Sequence, residues 1–529
     1  MKPTTSISLL GLLATFLFSS SLSAQGVTRI SVDASGVEGN GASNRASISA
    51  NGQVLTYQSS ASNLVAGDTN GMGDIFVLDR ANNIPLRVSV DSTGLEANGL
   101  SESPDIAQGG QFVAFSSQAT NLVANDTNLA SDIFVHDLST GATTRVSVDS
   151  LGAEGNGNST RCSISSDGRY VVYESEAANL VALDSNGSAD IFLHDRQTGL
   201  TTRVSVDSLG TEGNGECRSP AISADGLVVA FMSTSDNLVS SDTNTTSDIF
   251  AHELATGQTT RVSVKSGGNQ SAGICDDPEL SADGMLVVFT SDSFSIAPGG
   301  RNGDDDVYVH DRATQTTNRV SVNSQGIAGV FWSRNGALSS DGRYVVFESY
   351  ATDLITQDHN LMADVFLHDR VTGRTKNLSY SMATVQANRG SAFPAISADG
   401  NVILFDTFAA NLVMGDTNGV DDIFINDRSQ YPNFSKSGTC PGPVQLQISN
   451  LTSGGGVAVL YGAHGLYTHM GQRCNGLQLG ILSPTVGAIF TADAMGEVTV
   501  VFHPGASQCW TSMQVVDLAS CVASNRLVL

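Results

Sequence analysis

The sequence predicts an all-β fold: a seven-bladed β-propeller followed by a small β-sandwich-like domain. Three observations predict it. An aspartate opening "DIF", "DVY" or "DVF" recurs every 58 residues, at Asp74, Asp132, Asp190, Asp248, Asp306, Asp364 and Asp422. The glycine of the "SADG"-type turn keeps the same step, at Gly52, Gly110, Gly168, Gly226, Gly284, Gly342 and Gly400. Each unit also carries four short runs of β-branched and alternating residues. A four-stranded antiparallel unit repeated seven times without insertion closes radially as a propeller.

The elements follow in order. Residues 1–24 read as a secretory signal, with Lys2 at the charged start, "ISLLGLLATFLF" as the apolar stretch and "SLSA" as the small-residue cleavage site. That stretch is too short to span a membrane, and no later one is long enough. The third unit illustrates the blade: "STRCSIS", "RYVVYES", "DIFLHD" and "TTRVSVD", with "SDG" and "RQTGL" as turns. "TRISVD" at 28–33 is a fourth-strand sequence without its first three strands. The last unit has three strands and lacks a fourth. Residues 28–32 are therefore expected to pair beside residues 422–427 and complete blade seven, which removes two sheet edges together. The propeller is placed at 25–430.

The "SADG" turn, an apolar strand and "DIFVHD" resemble the bacterial propeller repeats called WD40-like or PD40, found in TolB and its relatives. The resemblance covers roughly residues 28 to 428. It implies the fold, and little about function, because propellers host enzymes, scaffolds and receptors alike.

A WD40 repeat takes about 40–45 residues, so a 58-residue unit carries a surplus. The surplus falls in the loop after strand four, such as "SVDSLGTEGNGECRSP", and in the loop after strand two, such as "NLVAGDTNGMGD". Both emerge on one face, which is glycine-rich and acidic. In the second loop, Asp68, Asn70 and Asp74 stand at relative positions 1, 3 and 7. The same pattern gives Asp126, Asn128 and Asp132; Asp184, Asn186 and Asp190; Asp242, Asn244 and Asp248; Asp358, Asn360 and Asp364; and Asp416, Asn418 and Asp422. Calcium takes six to eight oxygen ligands, and alternate residues of a tight loop aim theirs inward. Calcium is the expected cofactor, with Glu96, Asn98 and their equivalents completing the shell. The same residue types also form Asx-turns that bond their own backbone, and that reading stands beside the calcium one. The histidines of the "HD" pairs lie on third strands, away from the axis, and are expected to pack or bond between blades.

The repeat is broken in one sector. Blade five has "SIAPGGRNGDDD" in place of the standard loop and "CDD" before its first strand, and blade six is preceded by "GVFWSRNG". This gathers Asp276, Asp277, Arg301, Asp304, Asp305, Phe331 and Trp332 on the elaborated face as candidate ligand-binding residues. An aromatic beside carboxylates suits capture of a sugar or peptide; burial of the aromatics under a loop is the competing reading.

After Arg428 the repeat ends. Residues 431–439 read as a linker, and 440–529 as a β domain with the runs "VQLQIS", "GVAVLYGA", "EVTVVFHP" and "MQVVDL". Cys440, Cys474, Cys509 and Cys521 fit two disulfides, with Cys440–Cys474 and Cys509–Cys521 the pairing chosen by proximity among three. Cys217 and Cys275 hold equivalent positions in adjacent blades, where a bridge is an open alternative. The domain resembles small cysteine-containing β modules of secreted bacterial proteins.

The formal net charge is −26. Lys436, Arg473 and Arg526 balance Asp493, Glu497 and Asp517 in the tail, so the acidity belongs to the propeller. Such a field disfavours nucleic acid and anionic membrane. No catalytic motif is present. The sequence thus reads as a secreted or periplasmic monomeric binding or scaffold protein with a protein or glycan ligand. The alternative is an extracellular lyase or glycosidase acting at the propeller funnel. Unlike residues around the axis favour the enzyme; identical residues favour the scaffold.

Overall fold

The structure, a computed structural model, describes residues 27–430 apart from 299–302, 357 and 382–384, together with strands between 433 and 528. The signal segment therefore lies outside the described residues.

Seven four-stranded antiparallel sheets make up the unit Gly26–Gln430. Blade one consists of Ser43–Ile48, Val54–Ser59, Asp74–Asp79 and Ile84–Arg87, and the later blades repeat these lengths at the 58-residue step. The first strands of all seven blades line the axis. The fourth strands lie outermost, with four residues each in blades one to six and two, Thr28–Arg29, in blade seven.

The blades follow from the alternation in the sequence. Strands two and three are buried on both faces and are accordingly rich in Val, Ile, Phe and Tyr. In every blade an aromatic of strand two stacks on one of strand three, as in Tyr57–Phe76 at 5.8 Å and Phe405–Phe424 at 6.1 Å between centroids. The apolar core lies between blades. One cluster joins Leu55, Tyr57 and Phe76 of blade one to Val402, Leu404 and Ile423 of blade seven.

Blade seven closes as the sequence predicts. Thr28–Arg29 pairs antiparallel with Asp422–Asp427, with Thr28 opposite Ile425 and Arg29 opposite Phe424. The ladder is shorter than residues 28–32, but Ile30 N–H still donates to Ile423 O at 2.9 Å. The serine and arginine of this segment then make the contacts that blades one to five make at the same place, described below.

The histidines of the third strands bond a fourth-strand threonine of their own blade, and it is this threonine, not the histidine, that bonds the preceding blade. His136 Nδ1 lies 2.9 Å from Thr143 Oγ1, and that hydroxyl donates to Val90 O of the preceding blade at 2.5 Å. Burial holds these imidazoles below their ordinary pKa, His310 down to about 4. Cys217 and Cys275 are free, buried thiols, which corrects the bridge considered from their equivalent positions. Each takes the place of a serine that other blades use at the start of strand one. Each contacts a strand-two hydroxyl, Ser233 Oγ at 3.2 Å and Ser291 Oγ at 3.3 Å.

The tail forms two antiparallel sheets. One orders Asn433–Ser437, Val444–Ser449 and Val498–Phe502; the other is built on Gly456–Tyr467, Leu479–Thr491 and Ser512–Asp517. All four runs read from the sequence are strands. Residues 433–437, read as part of the linker, are a strand as well, because pairing with Val444–Ser449 outweighs the turn-forming composition around them. The four tail cysteines lie outside the described residues.

A chain beginning at residue 34 loses the pairing with Asp422–Asp427 and leaves that strand as an open edge. It is expected to melt lower than the chain beginning at residue 25 by roughly 10 °C or more, followed by circular dichroism at 215–220 nm. Equal melting of the two would overturn the closure.

Candidate functional site

The elaborated face carries two layers of polar residues, one constant and one variable. The constant layer is built on the marker aspartates, which are at most 2% exposed. Ser89 Oγ donates to Asp74 Oδ1 at 2.6 Å and accepts the Ile75 amide at 3.1 Å. Arg87, from the end of the fourth strand, stands among the loop carboxylates. Its Nη1 lies 3.9 Å from Asp68, 3.4 Å from Asp74 and 2.6 Å from Glu96, and its Nη2 donates to Gly67 O at 3.1 Å. Glu96 in turn accepts the Thr69 amide at 3.0 Å and its hydroxyl at 2.6 Å. The sequence reading thus brought together the right carboxylates, Glu96 included, and a guanidinium nitrogen stands at their centre.

The same arrangement recurs. Arg145 meets Asp126, Asp132 and Glu154; Arg203 meets Asp184, Asp190 and Glu212; Arg261 meets Asp242 and Asp248. At the seam, Arg29 meets Asp416, Asp422 and Glu38, and Ser31 Oγ donates to Asp422 Oδ1 at 2.5 Å. The asparagines act as turn formers. Asn128 Oδ1 accepts the Ala130 amide at 2.9 Å, and Nδ2 donates to Asp132 Oδ2 and Gly155 O. Asn70, Asn186, Asn244, Asn360 and Asn418 likewise accept the amide two residues on. Asn98 stands apart from the cluster and braces Thr120. The arginine was legible as a constant residue of "TTRVSVD", and composition alone hides it, because the face as a whole is acidic.

Desolvation pushes Asp68, Asp126, Asp184 and Asp416 up. Asp126, Asp184 and Asp416 reach about 6, with the marker aspartate beside each adding to the rise and the arginine opposing it. Glu96, Glu154 and Glu212 are held below the usual carboxylate range by the hydrogen bonds they accept, chiefly from Thr69, Thr127 and Ser185.

The variable layer rings the axis. Each first strand carries a bulge near its upper end, marked by a register shift such as that between Asn44 and Ser47. One residue of every bulge takes the left-handed conformation. These are Arg45, Ser103, Arg161, Ser219, Asp277, Asn335 and Phe393, with φ between 43° and 53°. None is glycine, so each carries backbone strain that the surrounding structure holds in place. The bulge amides are caught by strand-two side chains of the preceding blade. Gln58 accepts from Ser103 N at 2.9 Å, Glu174 from Ser219 N at 3.1 Å, and Glu348 from Phe393 N at 3.0 Å.

The seven residues rim a channel of about 370 Å³. Arg161 Nη1 donates to Ser219 Oγ at 2.8 Å, and Ser219 Oγ contacts Asp276 Oδ1 at 3.4 Å. The Arg45 guanidinium lies over the Phe393 ring at 5.1 Å. Below the rim, Ser47 Oγ donates to Asp105 Oδ1 at 2.7 Å, and Asp105 Oδ2 accepts the Ile164 amide at 3.0 Å, which ties three blades. Glu279 is exposed to the channel and stands among the first strands that line it. Desolvation pushes it up to about 8, with Asp105 and Asp277 adding. Asp277 reaches about 6 through desolvation and its neighbour Asp276. A collar of Ile48, Ile106, Ile164, Ile222, Leu280, Leu338 and Ile396 completes the wall.

The structure divides the sector read from the broken repeat. Asp277 belongs to the channel rim, and Asp276 stands beside it in contact with Ser219. Asp305 pairs with Arg334, whose guanidinium lies 5.2 Å from the Trp332 ring, and Trp332 packs on Tyr350 at 5.1 Å. Asp304 is exposed beside them. Phe331 is 50% exposed, so it is not tucked under a loop. Arg301 lies outside the described residues. The same face exposes Phe294 in blade five and Phe408 in blade seven, neither of which the sequence reading named. The axial ring was missed too, although a signal existed: it is the column at which an otherwise constant repeat changes residue type.

No protein-family model matches the chain, and no curated protein is similar to it. Among solved structures, a TolB from Agrobacterium tumefaciens is 16% identical, with a TM-score of 0.36, over 65% of this chain and 93% of that one. A prolyl endopeptidase is 11% identical, with a TM-score of 0.45, over 84% and 59%. A puromycin-hydrolysing peptidase of Mycobacterium tuberculosis is 13% identical, with a TM-score of 0.44, over 81% and 61%. The seven-bladed fold rests on the strand pairing of this chain itself. No helix among the described residues is long and apolar enough to cross a membrane.

Removing one arginine leaves buried carboxylates without their cation, which costs about 3–5 kcal/mol. Arg145→Met is expected to lose this much stability at pH 7.5 in urea unfolding. The pH dependence has a definite sign. Asp126, at about 6 when folded, lies above its ordinary 3.8, so the folded chain binds the extra proton between those values. Its contribution is complete below about pH 4 and is lost as pH rises through 6. Without Arg145 that carboxyl rises further, so the deficit of the variant narrows at pH 5. A deficit that widens on acidification would overturn this account.

Proposed function

We propose that the protein is an extracytoplasmic binding or scaffold protein that holds a protein ligand over the axial mouth of its elaborated face. One observation carries this reading. Seven backbone-equivalent positions at the mouth bear two arginines, two serines, an aspartate, an asparagine and a phenylalanine. The positions that build the blades stay constant, with the same Asp–Ser pair in every one. A ring whose symmetry is kept for structure and abandoned at the mouth fits recognition of one asymmetric ligand. Exposed Phe294, Phe331 and Phe408 on consecutive blades supply apolar anchors of the kind that dominate protein interfaces. Exposed Leu129, Leu183 and Leu361 on the same face add to them.

The enzyme is the second reading, and the unlike axial ring favours it on the criterion set from the sequence. Asp277 and Glu279, both pushed up by burial, would be its acid–base groups.

The test uses the purified full chain in two formats, an array of bacterial glycans and affinity capture from an extracytoplasmic extract followed by direct titration of what is retained. The variants are Arg45→Ala with Arg161→Ala, Phe331→Ser, and Asp225→Ser on the opposite face. A protein ligand whose Kd rises about 10-fold or more with the first two and not with the third supports the reading. A glycan ligand with that pattern replaces protein by sugar. Turnover of a glycan that Asp277→Asn abolishes would favour the enzyme. Binding indifferent to the axial variants would sink the proposal.

A further inference from the structure

Blade six breaks the constant layer at one atom position. Where six fourth strands end in arginine, the strand Arg374–Asn377 ends in Asn377. The register is unchanged: Asn377 sits opposite Phe366 as Arg261 sits opposite Phe250. The two loop aspartates remain, Asp358 and Asp364, and Gln386 faces them from the neighbouring loop.

Blade four is an internal control, because it has the same three residues and keeps the arginine. Gln270 Nε2 donates to Asp242 Oδ1 at 2.6 Å and Asp248 Oδ2 at 3.1 Å. Gln386 Nε2 donates to Asp358 Oδ1 at 2.8 Å and Asp364 Oδ2 at 2.6 Å. The glutamine therefore does not replace the arginine; the two coexist in blade four. There, Arg261 Nη1 lies 3.3 Å from Asp242 Oδ2 and 3.4 Å from Asp248 Oδ2. In blade six the equivalent oxygen, Asp358 Oδ2, is sealed from solvent and has no hydrogen-bond partner. Asn377, several atoms shorter than arginine, has a buried Nδ2 that reaches no close hydrogen-bond partner, although its side chain lies near enough to Asp364 to favour the ionised carboxylate. Asp364 itself is fully buried, and its Oδ1 accepts Ser379 Oγ at 2.5 Å. Two carboxylates thus face a point at which the sibling blades hold positive charge, and one of their oxygens there is unclaimed.

We infer that blade six binds a single hard divalent cation of the calcium type between Asp358 and Asp364, at the position that the guanidinium takes in the other blades. The chemistry of the donors selects it. All available ligands are oxygens, which suit a hard ion. Two carboxylates, Asp364 fully buried and Asp358 partly so, balance one divalent charge, and a guanidinium cannot be supplied by Asn377. This narrows the expectation drawn from the repeated loops to one ion per chain and one named place. It is independent of the axial ligand.

The experiment titrates the full chain with terbium, followed by its luminescence, and with calcium by calorimetry, alongside melting in calcium and in EDTA. Asn377→Arg rebuilds the sibling arrangement, and Arg261→Asn makes blade four resemble blade six. The wild type is expected to bind one ion and to melt several degrees higher in 10 mM calcium, as mass action requires for an ion held only by the folded state, at a Kd on the order of 10⁻⁴ M. Asn377→Arg is expected to bind none, to ignore calcium, and to melt above the wild type in EDTA. Arg261→Asn is expected to bind a second ion. A wild type indifferent to calcium in both titration and melting overturns the inference. So does binding that survives Asn377→Arg unchanged. Either result stands whether or not Arg261→Asn folds.

Discussion

A buried carboxylate at the head of each third strand is the constraint on which this structure depends. Burying a charge without partners costs several kcal/mol, so every such aspartate must have both oxygens claimed. One oxygen takes a serine hydroxyl just beyond the fourth strand, and the other faces the arginine that ends that strand, except in blade six, where it faces Gln386. The fourth strand has only four ladder residues, and these side-chain contacts are what fasten it and the loops above it. Ring closure uses the same chemistry. The N-terminal segment contributes little ladder, and it brings Ser31 and Arg29 to Asp422, so the seam is bonded like any other blade edge.

Repetition and variation divide the work. Positions that face the space between blades repeat, because each blade meets an identical neighbour: the stacked aromatics, the histidine–threonine pair, the aspartate–serine pair. Positions that face the axis are released from that demand. Seven left-handed bulges hold seven side chains at equal backbone geometry, and the side chains differ. Departures from the repeat concentrate on blades five to seven, where Phe294, Phe331 and Phe408 are exposed and where Asn377 replaces arginine. Asymmetry on a symmetric scaffold is how a ring selects one orientation of a partner.

The acidic face also changes meaning once charges are placed. From composition it is an anionic surface. In space, the buried aspartates that open the third strands are paired with an arginine from the adjoining strand in every blade but the sixth. The sequence offered both a cation loop and an Asx-turn for the same residues. The asparagines act as turn formers, the aspartates and glutamates gather round a point of positive charge, and blade six alone among the described blades keeps both aspartates without an arginine.

The sequence alone determined the fold class, the blade count and the strand that closes the propeller. Those follow from period and alternation, which are local properties written along the chain. It also picked the right loop carboxylates, because they share the period. Only the tertiary structure decided what stands between them, since Arg87 reaches Asp68 and Glu96 across two loops that periodicity does not connect. The same holds for the mouth of the channel. Equivalent residues of the first and last blades become neighbours only when the ring closes, so Arg45 and Phe393, at opposite ends of the repeat array, meet at 5.1 Å.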